Sequence, residues 1–190
     1  MKYLQYLSIK LLHNIFKKIN INILLLISYP IGIIYSIISI RNTIKLFIRA
    51  KTLNKTLEKK YNPILVKINY VKYWLETLWL TKPNFDKKIL SNVNIINENY
   101  IKNIKNHGAI FALPHLGNWE MAIPVGKNIK LDLLAVAEPL NNTRVLDWFK
   151  NLREELGCEI IIGGKGQNTF DTISQKLENK KHVCLLSERS

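Results

Sequence analysis

Apolar and polar positions change rhythm three times along the chain. Over residues 1–20, Leu4, Leu7, Leu11 and Ile15 recur at helical spacing with lysines between and after them, which predicts an amphipathic helix. Residues 21–40 carry no charge and are dominated by Ile and Leu, a length that matches the roughly 20 residues of a membrane-crossing helix. Asn22, Ser28, Pro30, Gly32, Ser36 and Ser39 interrupt that run, with the proline near its middle. A simple span and a kinked or re-entrant helix pair lying in one leaflet both fit the pattern. A cleaved signal peptide does not, because the apolar core begins late and no small-x-small cleavage site follows it. Residues 42–106 read as helices: Ile64, Leu65, Ile68, Val71, Leu75, Leu78 and Trp79 recur mostly at steps of three and four, and Lys82-Pro83-Asn84 ends the stripe. Tyr70, Tyr73, Trp74 and Trp79 add aromatic weight, suited to core packing, to an interfacial belt or to an acyl-chain wall. Residues 89–105 are polar with sparse apolar positions and predict a short strand or helix.

From Gly108 onward, apolar runs alternate with amphipathic stretches. Strands are predicted at 109–113, 131–137, 158–162 and 181–187, with helices at about 118–127, 142–156 and 167–179. Strand, helix, strand, helix is the signature of a largely parallel sheet. The expected fold class is therefore α/β, with N-terminal membrane-associated helices followed by a mostly parallel sheet flanked by helices. Three segments are expected: a hydrophobic and basic anchor at 1–45, a helical lead-in at 46–106, and an α/β part at 107–190. Polar groups follow each strand: His115 the first, Glu138-Pro139 the second, Gly163-Gly164-Lys165-Gly166 the third and Glu188-Arg189 the fourth. In parallel α/β sheets that edge is where ligands and chemistry gather.

Charge narrows the choice of partner. The formal net charge is +14, and residues 1–60 hold eleven lysines and arginines against Glu58 alone. A basic stretch suits nucleic acid or anionic lipid, but this one brackets an apolar segment and no nucleic-acid-binding motif accompanies it, which favours lipid. Because both flanks are basic, charge gives the apolar segment no orientation. Cys158 and Cys184 show no CxxC spacing and read as buried free thiols of a reducing compartment. His13, His107 and His182 lack partners at metal spacing, so no metal is expected. The glycine cluster at 163–166 lacks the spacing of a Walker A loop or a GxGxxG fingerprint, and serves as a turn or as a phosphate cradle.

The chemistry centres on Pro114-His115-Leu116-Gly117-Asn118-Trp119-Glu120. A histidine in the turn after a buried strand can take a proton from a hydroxyl near neutral pH. A carboxylate five residues on can orient one imidazole tautomer and stabilise the imidazolium, provided it lies in the first turn of a helix capped by Asn118. As an isolated spacing, a His and a Glu five apart also describe ordinary surface residues.

The six residues His115-Leu116-Gly117-Asn118-Trp119-Glu120 resemble the His-x-x-x-x-Asp/Glu motif of glycerolipid-type acyltransferases. The narrower wording His-x-Gly-Asn-Trp-Glu is similar to the branch holding the lipid A late (lauroyl or myristoyl) acyltransferases and the phosphatidylinositol mannoside acyltransferases. That resemblance implies an N-terminal hydrophobic anchor in the cytoplasmic membrane with the catalytic part on the cytoplasmic side. It implies an acyl thioester donor (acyl-CoA or acyl-carrier protein), a glycolipid hydroxyl as acceptor, and no cofactor or metal. His115 and Glu120 take the catalytic roles, and Glu138, Arg153, Glu188 and Arg189 the substrate-binding ones, with Arg144 as the alternate to Arg153. Ala137-Glu138-Pro139-Leu140 and Glu188-Arg189 lean towards mannoside acylation; lipid A is the alternative acceptor. In Glu188-Arg189-Ser190 the second acid of the family's Asp-Arg-Asp is missing, and the family's catalytic domain normally continues beyond this point, so a truncated chain is expected. A non-catalytic, basic membrane-surface protein is the competing reading from the residues alone.

Overall fold

A computed structural model describes residues 2–57, 60–82, 84–164 and 168–186. The chain divides into two compact units, one of Leu12–Leu80 and one of Met1–Leu11 with Thr81–Ser190, so that the first helix, α1 (Lys2–Phe16), contributes to both. This division follows packing, whereas the segments bounded at 45 and 106 follow composition.

The helical unit is built on α2 (Ile21–Ile38), α3 (Ile40–Leu53) and α4 (Pro63–Trp79). Asn20 caps α2 by accepting from the Asn22 N–H (2.9 Å), and Asn62 caps α4 by accepting from the Ile64 N–H (3.0 Å), with Pro63 pre-set in the first turn. The uncharged run forms a helix that continues through Pro30 and breaks at Ser39, where α3 begins. α2 packs on α4 through Ile21, Leu24, Ser28, Gly32 and Ser36, the buried positions that recur every three or four residues. At Gly32 a Cβ would stand 2.6 Å from Ile68 Cα, so the two backbones approach as only glycine permits. The buried hydroxyls bond carbonyls of the helical unit itself: Ser28 Oγ donates to Leu25 O (2.6 Å), Ser36 Oγ to Gly32 O (2.8 Å) and Thr43 Oγ1 to Ser36 O (2.8 Å). The opposite side of α2 leaves Ile23, Leu26, Ile33, Ile34, Ile37 and Ile38 exposed, up to 76% at Ile38.

The sheet unit opens with two short helices, α5 (Phe85–Leu90) and α6 (Glu98–Ile104), where the sequence left strand and helix open. Strands β1 (Ala109–Leu113), β2 (Leu133–Ala137), β3 (Cys158–Ile162) and β4 (His182–Leu186) pair in the order β1-β4-β2-β3, all parallel. A single 3-10 turn (Trp119–Met121) and α7 (Ala122–Asn128) follow β1, α8 (Thr143–Leu156) follows β2, and α9 (Thr169–Glu178) follows β3. Leu134 and Val183, both fully buried, pair on neighbouring strands at the centre of this core.

The fold class expected from the sequence is the one observed, with β2 and β4 starting later than expected. The cause lies in the helix ends before them. The Leu131 N–H bonds Gly126 O with Lys130 in the left-handed region (φ 63°), and the Lys181 N–H bonds Lys176 O with Lys180 at φ 64°. Both are Schellman-type closures. Leu131 and Lys181 therefore finish helices before the strands begin. Ser187, Glu188, Arg189 and Ser190 at the far end, and Lys165 and Gly166 of the glycine cluster, lie outside the described residues, as does Pro83.

Candidate active site

The in-register pairing puts the C-terminal ends of all four strands at one edge: Leu113 pairs with Leu186, and Ala137 with Ile162. The chain leaves β1 through Pro114 into a three-residue turn closed by the Leu116 N–H on Pro114 O (2.8 Å), which puts His115 at the turn's centre, exposed on this edge. Gly117 follows with φ 65°; its Cβ would meet nothing within 4 Å, so conformation rather than space calls for glycine there. Asn118 is extended (φ −110°, ψ 94°) and its side chain accepts from the Glu120 N–H (3.2 Å), so the 3-10 turn begins where the sequence places a helix start.

Glu120, five residues after the histidine, is fully buried. Its carboxylate is gripped by Arg153 of α8: Nε donates to both Oε1 and Oε2 (3.1 Å each) and Nη2 to Oε1 (2.9 Å). The guanidinium lies 4.5 Å from the Trp119 ring centroid and 5.4 Å from that of Phe149. Bidentate pairing plus stacking is what a planar guanidinium does and an ammonium does not. A carboxylate withdrawn from water requires such a partner, because alone it would cost several kcal/mol. The pairing of Glu120 with Arg153 was not legible in the sequence, since 33 residues separate them. One signal existed. Val145, Leu152 and Leu156 form the buried stripe of α8, Arg153 flanks it, and the neighbouring Glu154 is taken by Lys150 (3.8 Å).

Glu138 is exposed and is the first residue beyond β2, on the same edge as His115. β4 lies between β1 and β2, so the two strand ends stand about 10 Å apart at the usual strand spacing. Arg144, in the first turn of α8, stacks on α1, with its guanidinium 5.0 Å from the Tyr3 ring centroid. Glu188 and Arg189 fall outside the described residues. Gly163 extends the β2–β3 pairing through its N–H to Ala137 O (2.9 Å). Cys158, buried near Arg153 and Glu120, has its thiol pushed up to about 12, chiefly by burial, and burial pushes the Cys184 thiol up to about 11. Both thiols are protonated at neutral pH and are poor nucleophiles. Among the described residues no cluster of His, Cys, Asp and Glu has the makings of a metal site.

The parallel α/β unit thus carries an exposed histidine in the turn after its first strand and, five residues on, a buried glutamate braced by an arginine. The chain belongs to the bacterial lipid A biosynthesis acyltransferase family, whose family model matches residues 64–190. It is similar to the phosphatidylinositol mannoside acyltransferase of Mycobacterium tuberculosis (strain ATCC 25618 / H37Rv), 30% identical over 128 residues. It is also similar to the phosphatidylinositol mannoside acyltransferase of Mycolicibacterium smegmatis (strain ATCC 700084 / mc(2)155), 29% identical over 126 residues. Each match covers 64% of this chain, and the chain spans 40% of the length of these relatives.

Proposed function

We propose that this protein is a membrane-associated O-acyltransferase that moves a fatty acyl group from an acyl thioester to a hydroxyl of a glycolipid. His115 takes the hydroxyl proton as the oxygen attacks the thioester carbonyl. Collapse of the tetrahedral intermediate breaks the carbon–sulfur bond, and the imidazolium returns the proton to the departing thiolate. Products are an ester and a free thiol. Glu120 stabilises the imidazolium, and Arg153, expected from the sequence to bind substrate, is bonded to Glu120 and holds it in place. Glu138 serves the acceptor's hydroxyls, and Glu188 with Arg189 completes the substrate-binding set. The donor is acyl-CoA or acyl-carrier protein. The observation that carries this reading is the exposed His115 in the β1 turn with Glu120 buried and braced five residues on.

The acceptor named here is a phosphatidylinositol mannoside, in keeping with the relatives; a lipid A precursor is the second reading, in keeping with the family's description. The uncharged α2, mostly unburied and with large aliphatic side chains outward, supports attachment to a membrane; the inner membrane, with the catalytic part on the cytoplasmic side, is the placement the family resemblance implies. The basic residues around it suit an anionic lipid surface.

The test is transfer of labelled acyl groups by the full gene product to a mannosylated phosphatidylinositol and, in parallel, to a glucosamine-based lipid. His115→Ala is expected to lose roughly 10²–10⁴-fold in rate, the usual contribution of general-base help, with membrane binding unchanged. Cys158→Ala is expected to stay active, since its buried, protonated thiol has no part in the reaction. Near-normal transfer by the histidine variant, or loss in the cysteine variant alone, would sink the assignment. Wild-type protein that binds vesicles but transfers to neither acceptor would favour the non-catalytic membrane-surface reading.

A further inference from the structure

Asn142 stands at the N-terminal boundary of α8, and its carbonyl accepts from the Val145 and Leu146 N–H groups (3.1 and 3.0 Å). An asparagine there ordinarily turns its side chain onto its own helix to satisfy a free N–H. This one makes no such bond. It is 8% exposed, and its Nδ2 donates instead to Lys2 O (2.8 Å) and Gln5 Oε1 (3.0 Å) of α1, 140 and 137 residues away. Two neighbours reinforce the junction: Lys2 Nζ donates to Asn141 O (2.6 Å), and the Arg144 guanidinium lies 5.0 Å from the Tyr3 ring centroid. The first turn of α1 is thus fastened through Lys2, Tyr3 and Gln5 to the first turn of α8 and to the loop before it, the loop that begins with Glu138 at the sheet's C-terminal edge. Beyond that turn α1 buries nothing, and Leu4, Leu7 and Leu11 stay exposed beside Lys10. An amphipathic helix with an uncovered apolar stripe and lysines is suited to the surface of a bilayer.

We propose that Asn142 is a positioning residue. It gives up its local cap to clamp α1 onto the 138–142 loop, so that the helix lying on the lipid surface holds the acceptor side of the site in register with that surface. This rests on the proposed function only in taking a membrane glycolipid as the acceptor. The effect is on how a membrane-borne acceptor reaches the site, and the chemistry at His115 is untouched.

Asn142→Ser separates the clamp from the cap: serine caps a helix about as well as asparagine but is too short to reach Lys2 and Gln5. Gln5→Ala cuts the same contact from the exposed side without touching α8. Each variant of the full gene product is given the mannosylated phosphatidylinositol in phosphatidylglycerol-containing vesicles and, separately, a short-chain, water-soluble form of the same acceptor. Losing one or two net hydrogen bonds predicts an apparent KM for the vesicle-borne acceptor raised about tenfold, with kcat within about twofold and the soluble acceptor turned over as by wild type. The double variant should be no worse than Asn142→Ser alone, which already removes both bonds. Equal losses on both acceptors would reduce Asn142 to a structural residue, and no change on either would leave the clamp idle; both outcomes overturn the proposal. Amide hydrogen exchange keeps this apart from the acyltransfer reading. Faster exchange at residues 2–7 in Asn142→Ser, with α8 unchanged, upholds the clamp even where wild type transfers nothing, a result that sinks only the function. Unchanged exchange at residues 2–7 overturns the clamp whatever the transfer rate.

Discussion

The helical unit and the sheet unit both bury apolar side chains but differ in what they turn outward. In the sheet unit Leu134, Val183, Leu156 and Ile160 are inside and the charged groups sit at strand ends, as water demands of a soluble core. In the helical unit the inward positions of α2 include Ser28, Gly32 and Ser36, while Ile, Leu and Tyr point outward. This face of α2 depends on close backbone packing and internally satisfied hydroxyls, while Leu24, Ile68, Leu75, Leu78 and Trp79 supply the unit's buried apolar side chains. The two units also treat buried charge differently. Glu120 in the sheet unit receives a full guanidinium, whereas Lys67 of α4 lies with its Nζ 4.8 Å above the Tyr35 ring, its stem buried along the packed face. Each unit thus has its own rule for which polar groups are kept inside.

The largest expected effect tests the buried ion pair. Arg153→Ala removes the guanidinium from a fully buried carboxylate, which predicts a loss of about 3–5 kcal/mol from the sheet unit. Replacing both partners, Arg153→Met with Glu120→Leu, should recover most of that loss while abolishing transfer, because apolar side chains of similar size need no partner. Denaturant unfolding followed by amide exchange separately in α8 and α2 reads out both units. The helical unit should be indifferent to either variant. A single mutant as stable as wild type would mean that Glu120 does not depend on Arg153, and the contrast with the helical unit would lose its sharpest term.

Next comes the contact that only glycine allows. Any side chain at position 32 meets the backbone of Ile68, so Gly32→Val should cost about 1–3 kcal/mol, the usual penalty for overpacking, and should loosen α2 from α4. Ile37→Asn, on the exposed side, should do the reverse: α2 stays packed, and partitioning into vesicles weakens. Protease sensitivity in detergent reports the first and flotation with vesicles the second. If Gly32→Val packs normally, α2 and α4 do not depend on that close approach; if Ile37→Asn loosens α2 without affecting flotation, the outward face of α2 is not a lipid face.

Much of this was legible because the signals were local. An apolar run between Gly108 and Pro114 has few alternatives to a buried strand, and Asn118 ahead of Trp119 and Glu120 announces a helical start. The edge carrying His115 and Glu138 follows from alternation alone, since parallel strands put all their C-termini on one side. The illegible features depend on distance or on direction. Arg153 and Asn142 find partners 33 and 140 residues away, and nothing in their neighbourhood names those partners. The uncharged stretch at 21–40 declared its length and apolarity, but only the structure gives the face that packs, because serine and glycine in an apolar run read as interruptions rather than as an interface. Lys130 and Lys180 hid the strand starts, since a lysine in the left-handed region carries no sequence signal comparable to glycine.

The smallest effect concerns the opposite edge of the sheet, where Glu159 of β3 accepts from Lys176 and Lys181 (2.8 Å for the latter), and Lys181 also bonds Asp132 (3.0 Å). The hydrogen bond from Lys176, followed by that from Lys181, holds the Glu159 carboxyl below its ordinary value of 4.5. The hydrogen bond that Lys181 donates to Glu159 first, and then the one it donates to Asp132, holds Lys181 above 10.5. A depressed carboxylate lends stability that is complete above its unfolded value and is lost as pH falls through the lower folded one. A raised lysine lends stability that is complete below its unfolded value and is lost as pH rises through the higher folded one. Glu159→Gln should therefore cost most between about pH 5 and 10 and approach wild type in acid. Because these side chains are partly exposed, solvent screening limits the cost to about 0.2–1 kcal/mol, read as a shift of the urea midpoint at constant slope. Raising salt from 0.01 to 1 M, which shortens the screening length from about 30 to 3 Å, should shrink the difference further. Neither acid nor salt should alter the Gly32→Val penalty, which is steric. A Glu159→Gln cost that persists undiminished in acid and in 1 M salt would mean that the network holds the strand starts by packing rather than by charge, and that the two units differ less than their surfaces say.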